Sequence, residues 1–378
     1  MAPIEKEEEI HAIVDDLSVR LGQLGDGWLT ASEKAPKYFE FTPIELYAFT
    51  ERLKLAEPTI SETNTSADLS NTVDFLSRVK NLKIRGSRGY VRSSNIVCNS
   101  LSLSLHHCKN LLSLWVADFD VSRIEGISHL RKSLRRLVIH YSMSRIRDFF
   151  VKEELSVADF EDSWESLEEA DFSFNHLEEI DDSIRSLKAL VRLNVSQNRL
   201  TSIGSTLQHL PRLSYLDLSK NNIASVSGWS QLLGQISVLK IANNSIKSLE
   251  GIAKLYSLEV LDASDNQLDT IESVIFIGNL PCLEVLNLKG NKVRKVVEYR
   301  TRILEAFEER AGLVTLDGQP GDAHEKDTIA VRLALKKAKE EKEMVDRERK
   351  EKIERSVRYI SNCEGSDTSP YGSFRNNL

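Results

Sequence analysis

Apolar residues recur through the second half of this chain at a spacing that is neither helical nor strand-like. Leu190, Leu193, Val195 and Leu200 stand three, two and five residues apart, with Asn198 inside the last gap. A helix repeats its apolar positions every 3.6 residues and a half-buried strand every two, so one regular element does not explain the pattern. The same order returns at Leu167, Ala170, Phe172, Asn175, Leu177 and at Leu213, Leu216, Leu218, Asn221, Ile223. It returns again at Ile236, Leu239, Ile241, Asn244, Ile246, at Leu258, Leu261, Ala263, Asn266, Leu268, and at Leu283, Leu286, Leu288, Asn291, Val293. The starts lie 23, 23, 23, 22 and 25 residues apart.

Six tandem copies of L-x-x-L-x-L-x-x-N-x-L at this period resemble the leucine-rich repeat. The L-x-L core reads as a short strand whose two flanking residues point inward together. One copy cannot bury its own leucines, but stacked copies share a continuous core. The resemblance implies an α/β fold: a solenoid with a curved parallel sheet on its concave face, a helical N-terminal cap and a long C-terminal helix. After each strand the chain turns inward and leaves backbone groups without partners. An asparagine amide supplies both donors and an acceptor. Asn175, Asn198, Asn221, Asn244, Asn266 and Asn291 are therefore expected to form a ladder.

Weaker copies lie upstream at Leu134, Leu137, Ile139, at Leu111, Leu114, Val116, and at Val79, Leu82, Ile84. Ser142, Phe119 and Ser87 occupy their asparagine places. About nine repeats result, with roughly ten extra residues in 88–110 and again in 143–166. The second insertion is charged and aromatic and reads as an interaction loop or a surface-packed one.

The flanks read as caps. Thr42, Pro43 and Glu45 form a helix-start signal for about 43–55. A second amphipathic helix, about 5–24, carries Ile10, Ile13, Val14, Leu17 and Leu21. Residues 61–71 read as a linker. Tyr299, Ile303, Leu304 and Phe307 make a C-terminal capping face, and Leu313 and Leu316 a last strand-like turn ended by Asp317-Gly318. Residues 326–356 read as a solvated helix with acid-to-base pairs such as Glu351–Arg355. The expected division is 1–70 helical region and linker, 71–320 solenoid with cap, 321–360 charged helix and 361–378 disordered tail.

Charge changes the picture by exclusion. Fifty Lys and Arg against 57 Asp and Glu give a net charge of −7, which is not a nucleic-acid footprint. No apolar run is long enough to span a bilayer. The acidic start MAPIEKEEEI lacks a secretory pattern, and the four cysteines show no paired framework, so a cytoplasmic location is expected. No P-loop occurs. Ser128 in GISHL is not a nucleophile elbow, and His106-His107-Cys108 lacks a second cluster to complete a metal site. No cofactor or metal is expected, and no catalysis; a hydrolase or transferase would need a group hidden in an insertion, with Asp159 and Asp162 the first to test.

Residues Ile277-Gly278, the run Leu280 to Leu288, Asn291 and Tyr299-Arg300 resemble the repeat region of Nischarin-type intracellular proteins, and more loosely phosphatase-regulator repeats. That resemblance covers roughly 70–330. It implies an adaptor in trafficking or cytoskeletal signalling, with integrin tails, Rac-pathway kinases and endosomal membranes as the family's partners. The first 70 residues read as helices and not as that family's phox-homology domain.

Positions facing away from the core tile the concave face in three columns. The outward Trp115, Tyr215, Val238, Val260 and Val285, set among Arg136, Arg192, Asp217, Lys240 and Asp262, suit a protein interface of aromatic and apolar anchors ringed by polar groups. These ten are the expected partner-binding residues. The function expected is a non-catalytic protein-binding scaffold, with membrane association only peripheral and through partners. A regulatory subunit of a protein phosphatase, or a ciliary or microtubule-associated factor, is the alternative.

Overall fold

The computed structural model describes residues 12–17, 19–20, 38–54, 70–90, 97–151 and 163–364. Strands are numbered in chain order: β1 (Phe39–Phe41), β2 (Asn81–Arg85), β3 (Leu103–Ser104), β4 (Ser113–Ala117), β5 (Ile124–Glu125) and β6 (Arg136–His140). Then follow β7 (Glu169–Asp171), β8 (Arg192–Asn194), β9 (Tyr215–Asp217), β10 (Val238–Lys240), β11 (Val260–Asp262), β12 (Val285–Asn287), β13 (Thr315–Leu316) and β14 (Gln319–Pro320). All but β3 and β5 join one 12-stranded sheet in chain order. It is parallel from β1 to β13, and β14 turns back antiparallel at Asp317-Gly318.

Each repeat buries the same set. Leu193, Val195 and Leu200 are fully enclosed, and so are Leu216, Leu218 and Ile223 one coil later. Short 3-10 segments such as Asp182–Ser186, Thr206–His209 and Glu250–Ile252 carry the chain back along the outer side. They are broader than the strands they return to, so the sheet lines the inside of the curve.

The asparagine ladder is present. Asn198 donates through Nδ2 to the carbonyl of Phe172 in the preceding coil at 2.9 Å, and its Oδ1 accepts the Leu177 N–H at 3.0 Å. Asn221, Asn244, Asn266 and Asn291 repeat both bonds one coil at a time. Asn175 begins the file by reaching Ile139 O and accepting from the N–H groups of Ser142 and Met143. The residue before each asparagine takes a left-handed conformation: Phe174, Gln197, Lys220, Asn243, Asp265 and Gly290, with φ between 52° and 77°. That conformation costs a non-glycine residue about 1–2 kcal/mol. It persists because the flanking ladders leave the chain no other way to turn inward.

The irregular N-terminal coils solve the same problem differently. Ser142 accepts the Phe119 N–H at 3.2 Å. Ser87 has no amide to offer, and Asn99, from the first insertion, takes the role: it accepts the Ser87 N–H at 3.1 Å and donates to Asp118 O at 2.8 Å. That insertion also builds β3, which pairs with β5 on the outer side. The second insertion packs inward, with Phe149, Phe150 and Trp164 buried against Phe172. Residues 152–162, including Asp159 and Asp162, lie outside the described residues.

Both ends are closed. β1 was not expected, yet Phe39 and Phe41 cover the first coil from within. Glu45 reaches back to the Thr42 N–H at 2.7 Å, starting the helix Pro43–Lys54. Residues 12–17 and 19–20 are helical, with Ile13 and Val14 packed beside Ala48, and Arg20 paired with Glu45 at 2.8 Å. The stretch expected as a linker ends in a helix, Ser70–Arg78; residues 61–69 lie outside the described set. At the far end Tyr299, Ile303, Leu304 and Phe307 are buried as the capping face. One expectation is corrected: Leu313 is 70% exposed, and Val314 is the residue that goes inward with Leu316. The chain leaves the helix turn one residue later than the leucine spacing suggests. Gly278 has a packing reason, since a Cβ there would run into the carbonyl of Ala306 in the cap. The last helix, Ala323–Glu364, begins inside the expected 321–360 segment and runs four residues beyond it; residues 365–378 lie outside the described set.

Candidate functional site

Parallel pairing in unbroken register aligns the outward residues in files. The central file runs Glu40, Lys83, Trp115, Val138, Asp171, Asn194, Asp217, Lys240, Asp262, Asn287. Beside it run Arg136, Glu169, Arg192, Tyr215, Val238, Val260, Val285 and Thr315. All ten residues expected to bind a partner therefore stand on this one sheet face, on β4, β6 and β8 to β12.

Their side chains form two groups. In the first, Lys83 Nζ lies 4.6 Å from the Trp115 ring centroid and pairs with Glu40 at 3.2 Å, while His140 meets the indole edge-on. Arg136 pairs with Glu169 at 3.5 Å, a half-exposed contact of little energetic weight. In the second, the Arg192 guanidinium lies 4.1 Å over the Tyr215 ring and Lys240 Nζ lies 5.4 Å from it. The phenol donates to Asp217 at 3.5 Å. Contact with Tyr215, and then the charges of Asp217 and Asp262, hold Lys240 above the ordinary lysine value against the opposing effect of burial. Beyond the tyrosine the file turns aliphatic: Val238 and Val260 are half-buried and Val285 is exposed.

Asp217 and Asp262 carry a structural duty that the sequence reading missed. Asp217 Oδ1 accepts the Ser219 N–H at 3.0 Å, and Asp262 Oδ1 accepts the Ser264 N–H at 3.1 Å. Asp171, Asn194 and Asn287 make the same two-residue turn. A short acidic or amide side chain at this place steadies the exit of each strand. The signal was readable as a recurrent D/N-x-S or D/N-x-K after the inner leucine.

Ser173, His140 and Asp171 stand together, which invites comparison with a hydrolytic triad. His140 Nε2 faces Ser173 Oγ at 3.2 Å and Asp171 Oδ1 at 3.3 Å, and Ser173 donates to Asp171 at 2.6 Å. One ring nitrogen serves both partners and the serine proton goes to the carboxylate, so no base-to-nucleophile relay exists. Burial raises the Asp171 pKa, but hydrogen bonds from His140 and Ser173 outweigh it and hold the carboxyl below its ordinary value. Among the described residues no group of His, Cys, Asp or Glu is placed to hold a metal ion.

The leucine-rich-repeat family model matches residues 165–223, which hold three of the regular repeat motifs and strands β7 to β9. The fold is a leucine-rich-repeat solenoid. A leucine-rich-repeat protein from Leptospira interrogans is similar, with a TM-score of 0.47 and 21% identity over 66% of this chain and 56% of that one. An internalin from Listeria monocytogenes aligns with a TM-score of 0.42 and 18% identity over 59% and 65% of the two chains. Internalin C2 from the same organism gives 0.34 and 20% over 58% and 75%. The chain thus spans less than two thirds of the first two structures it matches.

A second concavity of the repeat solenoid was not foreseen. Both insertions follow strands at the same edge of the sheet, and between them lies a cleft of about 660 Å³. Arg88, Asp118, Tyr141, Arg145, Asp148 and His176 line it, with the Arg145–Asp148 pair at 3.2 Å closing one side. No described helix is long and apolar enough to cross a membrane.

Proposed function

We propose that this chain is a non-catalytic protein-binding scaffold that holds its partner on the sheet face of the solenoid. The observation that carries the reading is the file Tyr215, Val238, Val260, Val285, which keeps apolar surface outward on four adjacent strands beside Asp217, Lys240 and Asp262. Water alone gives no reason for an aromatic anchor clamped by two cations and continued by three valines. Trp115, Arg136 and Arg192 extend the surface toward the N-terminal coils. A role as an adaptor in trafficking or cytoskeletal signalling is the finer reading, supported by the resemblance of residues 277–300 to Nischarin-type repeats; it places the protein in the cytoplasm, with membrane association through partners.

Affinity purification from the native cell tests it, comparing the wild type with Trp115→Ala and Tyr215→Ala. Loss of the same specific partners from either variant, with folding unchanged, supports the proposal. Retention of every partner by both variants overturns it.

A further inference from the structure

The helix Ala323–Glu364 has a docked face and an exposed one. Ile329 is buried against the cap, and Leu333 packs partly there. Arg332 pairs with Glu298 and Glu305, Lys336 with Glu308 and Lys337 with Glu309. At about 100° per residue these five positions share one side of the helix. Val331 and Leu335 point the opposite way, at 60% and 66% exposure. Their face continues through Ala338, Lys342, Val345, Arg349, Lys352 and Ile353, with Val345 at 62% and Ile353 at 56% exposure.

The order Val331, Leu335, Ala338, Lys342, Val345, Arg349, Lys352 is spaced 4, 3, 4, 3, 4, 3, the a/d spacing of a coiled-coil seam. The helix has about as many acids as bases beyond Ala338, yet none of the acids falls on this seam. Asp346 and Glu341 flank it, and Glu343 and Glu351 lie round the other side, where they pair with Lys339 and Arg355. The aliphatic positions of this seam and its cations Lys342 and Arg349 point away from the body that anchors the helix.

We infer that the seam docks a partner helix whose facing stripe is aliphatic and acidic. Carboxylates opposite Lys342 and Arg349 would match these two cations, and aliphatic residues would cover Val331, Leu335 and Val345. A second copy in parallel register would set Lys342 on Lys342 and Arg349 on Arg349, which disfavours self-pairing. This site is independent of the sheet face, and Trp115→Ala and Tyr215→Ala leave it intact.

The test uses the full chain and a synthetic four-heptad helix with Leu opposite the aliphatic positions and Glu opposite the cations. A second helix has Lys in place of those Glu residues. Fluorescence anisotropy is expected to show the acidic helix binding at least tenfold tighter than the basic one. The charge-reversed chain Lys342→Glu/Arg349→Glu, whose helicity is checked by circular dichroism, is expected to invert that preference. Equal binding of both helices, binding of neither, or no inversion overturns the inference. So does seam-dependent binding to phosphatidylserine vesicles in place of the helix, or a seam-dependent dimer of the chain in sedimentation equilibrium.

Discussion

Asn221 donates through Nδ2 to the carbonyl of Val195, 26 residues earlier, at 3.0 Å, and its Oδ1 accepts the Leu200 N–H at the same distance. One side chain thus joins two coils at the point where both turn inward. Asn221→Ala leaves the buried Leu200 N–H without a partner, at about 1–3 kcal/mol, and takes from the Val195 carbonyl one of its two amide donors, Asn198 being the other. Asn221→Asp keeps the acceptor, loses the donors and buries a charge, so it is no rescue. Urea unfolding is expected to show both variants less stable than wild type; a Asn221→Ala midpoint equal to wild type would contradict the ladder's role.

The C-terminal cap predicts an alkaline limit. Tyr299 donates to Asp317 at 3.2 Å, and Asp317 also accepts the Leu288 N–H at 2.8 Å and pairs with Arg294 at 3.2 Å. Burial first, then the Asp317 charge, raises the Tyr299 pKa above its ordinary 10.0. Burial likewise pushes the Cys108 thiol up to about 12 from 9.0. Groups raised in the folded state contribute stability that is intact below their unfolded pKa and lost as pH climbs. These two groups therefore leave stability unchanged below about pH 9 and make it fall above that. Tyr299→Phe is expected to lower stability by about 1–3 kcal/mol at pH 7 and to reduce the fall above pH 10, measured by thermal melts across the range.

An acid limit arises at the other end. His106 meets His107 and His129 edge-on, and His107 also packs on Phe49 of the capping helix. Burial, followed for His107 by the charges of His106 and Lys109, lowers its pKa; burial also leads the lowering at His129, opposed by its contact with Cys108 O. A group lowered in the folded state contributes stability that is present above its unfolded pKa, here 6.5, and lost as pH falls. Melting temperatures are expected to drop below about pH 6.5. His106→Gln, by removing the neighbouring charge, is expected to flatten that drop; an unchanged profile would show that the three rings do not act on one another.

The coils were legible because their pattern lies in local spacing. Leu193 and Val195 flank one outward residue, so their inward direction fixes Asn194 outward and the register of every neighbour follows. What was not legible depends on contacts distant in sequence. β1 carries only Phe39 and Phe41 inward, too few to announce a strand, and it is ordered by the first coil it covers. Asn99 sits in an insertion without the repeat motif and finds its place only when Ser87 and Asp118 come together. Leu313 and Val314 are adjacent and both apolar, and the preceding turn, not composition, decides which goes inward. The double role of Asp217 was hidden for a related reason: outward direction alone says nothing about a carboxylate folding back on its own backbone.

Binding by the sheet face is tested most directly by a photo-crosslinking residue placed in turn at Val260, on the inner file, and at Lys254, exposed on the outer side. Irradiation in the native cell is expected to give partner adducts from Val260, reduced by Tyr215→Ala, and none of those adducts from Lys254. Adducts from Lys254 alone, or Val260 adducts indifferent to Tyr215, would contradict a partner held on the inner sheet.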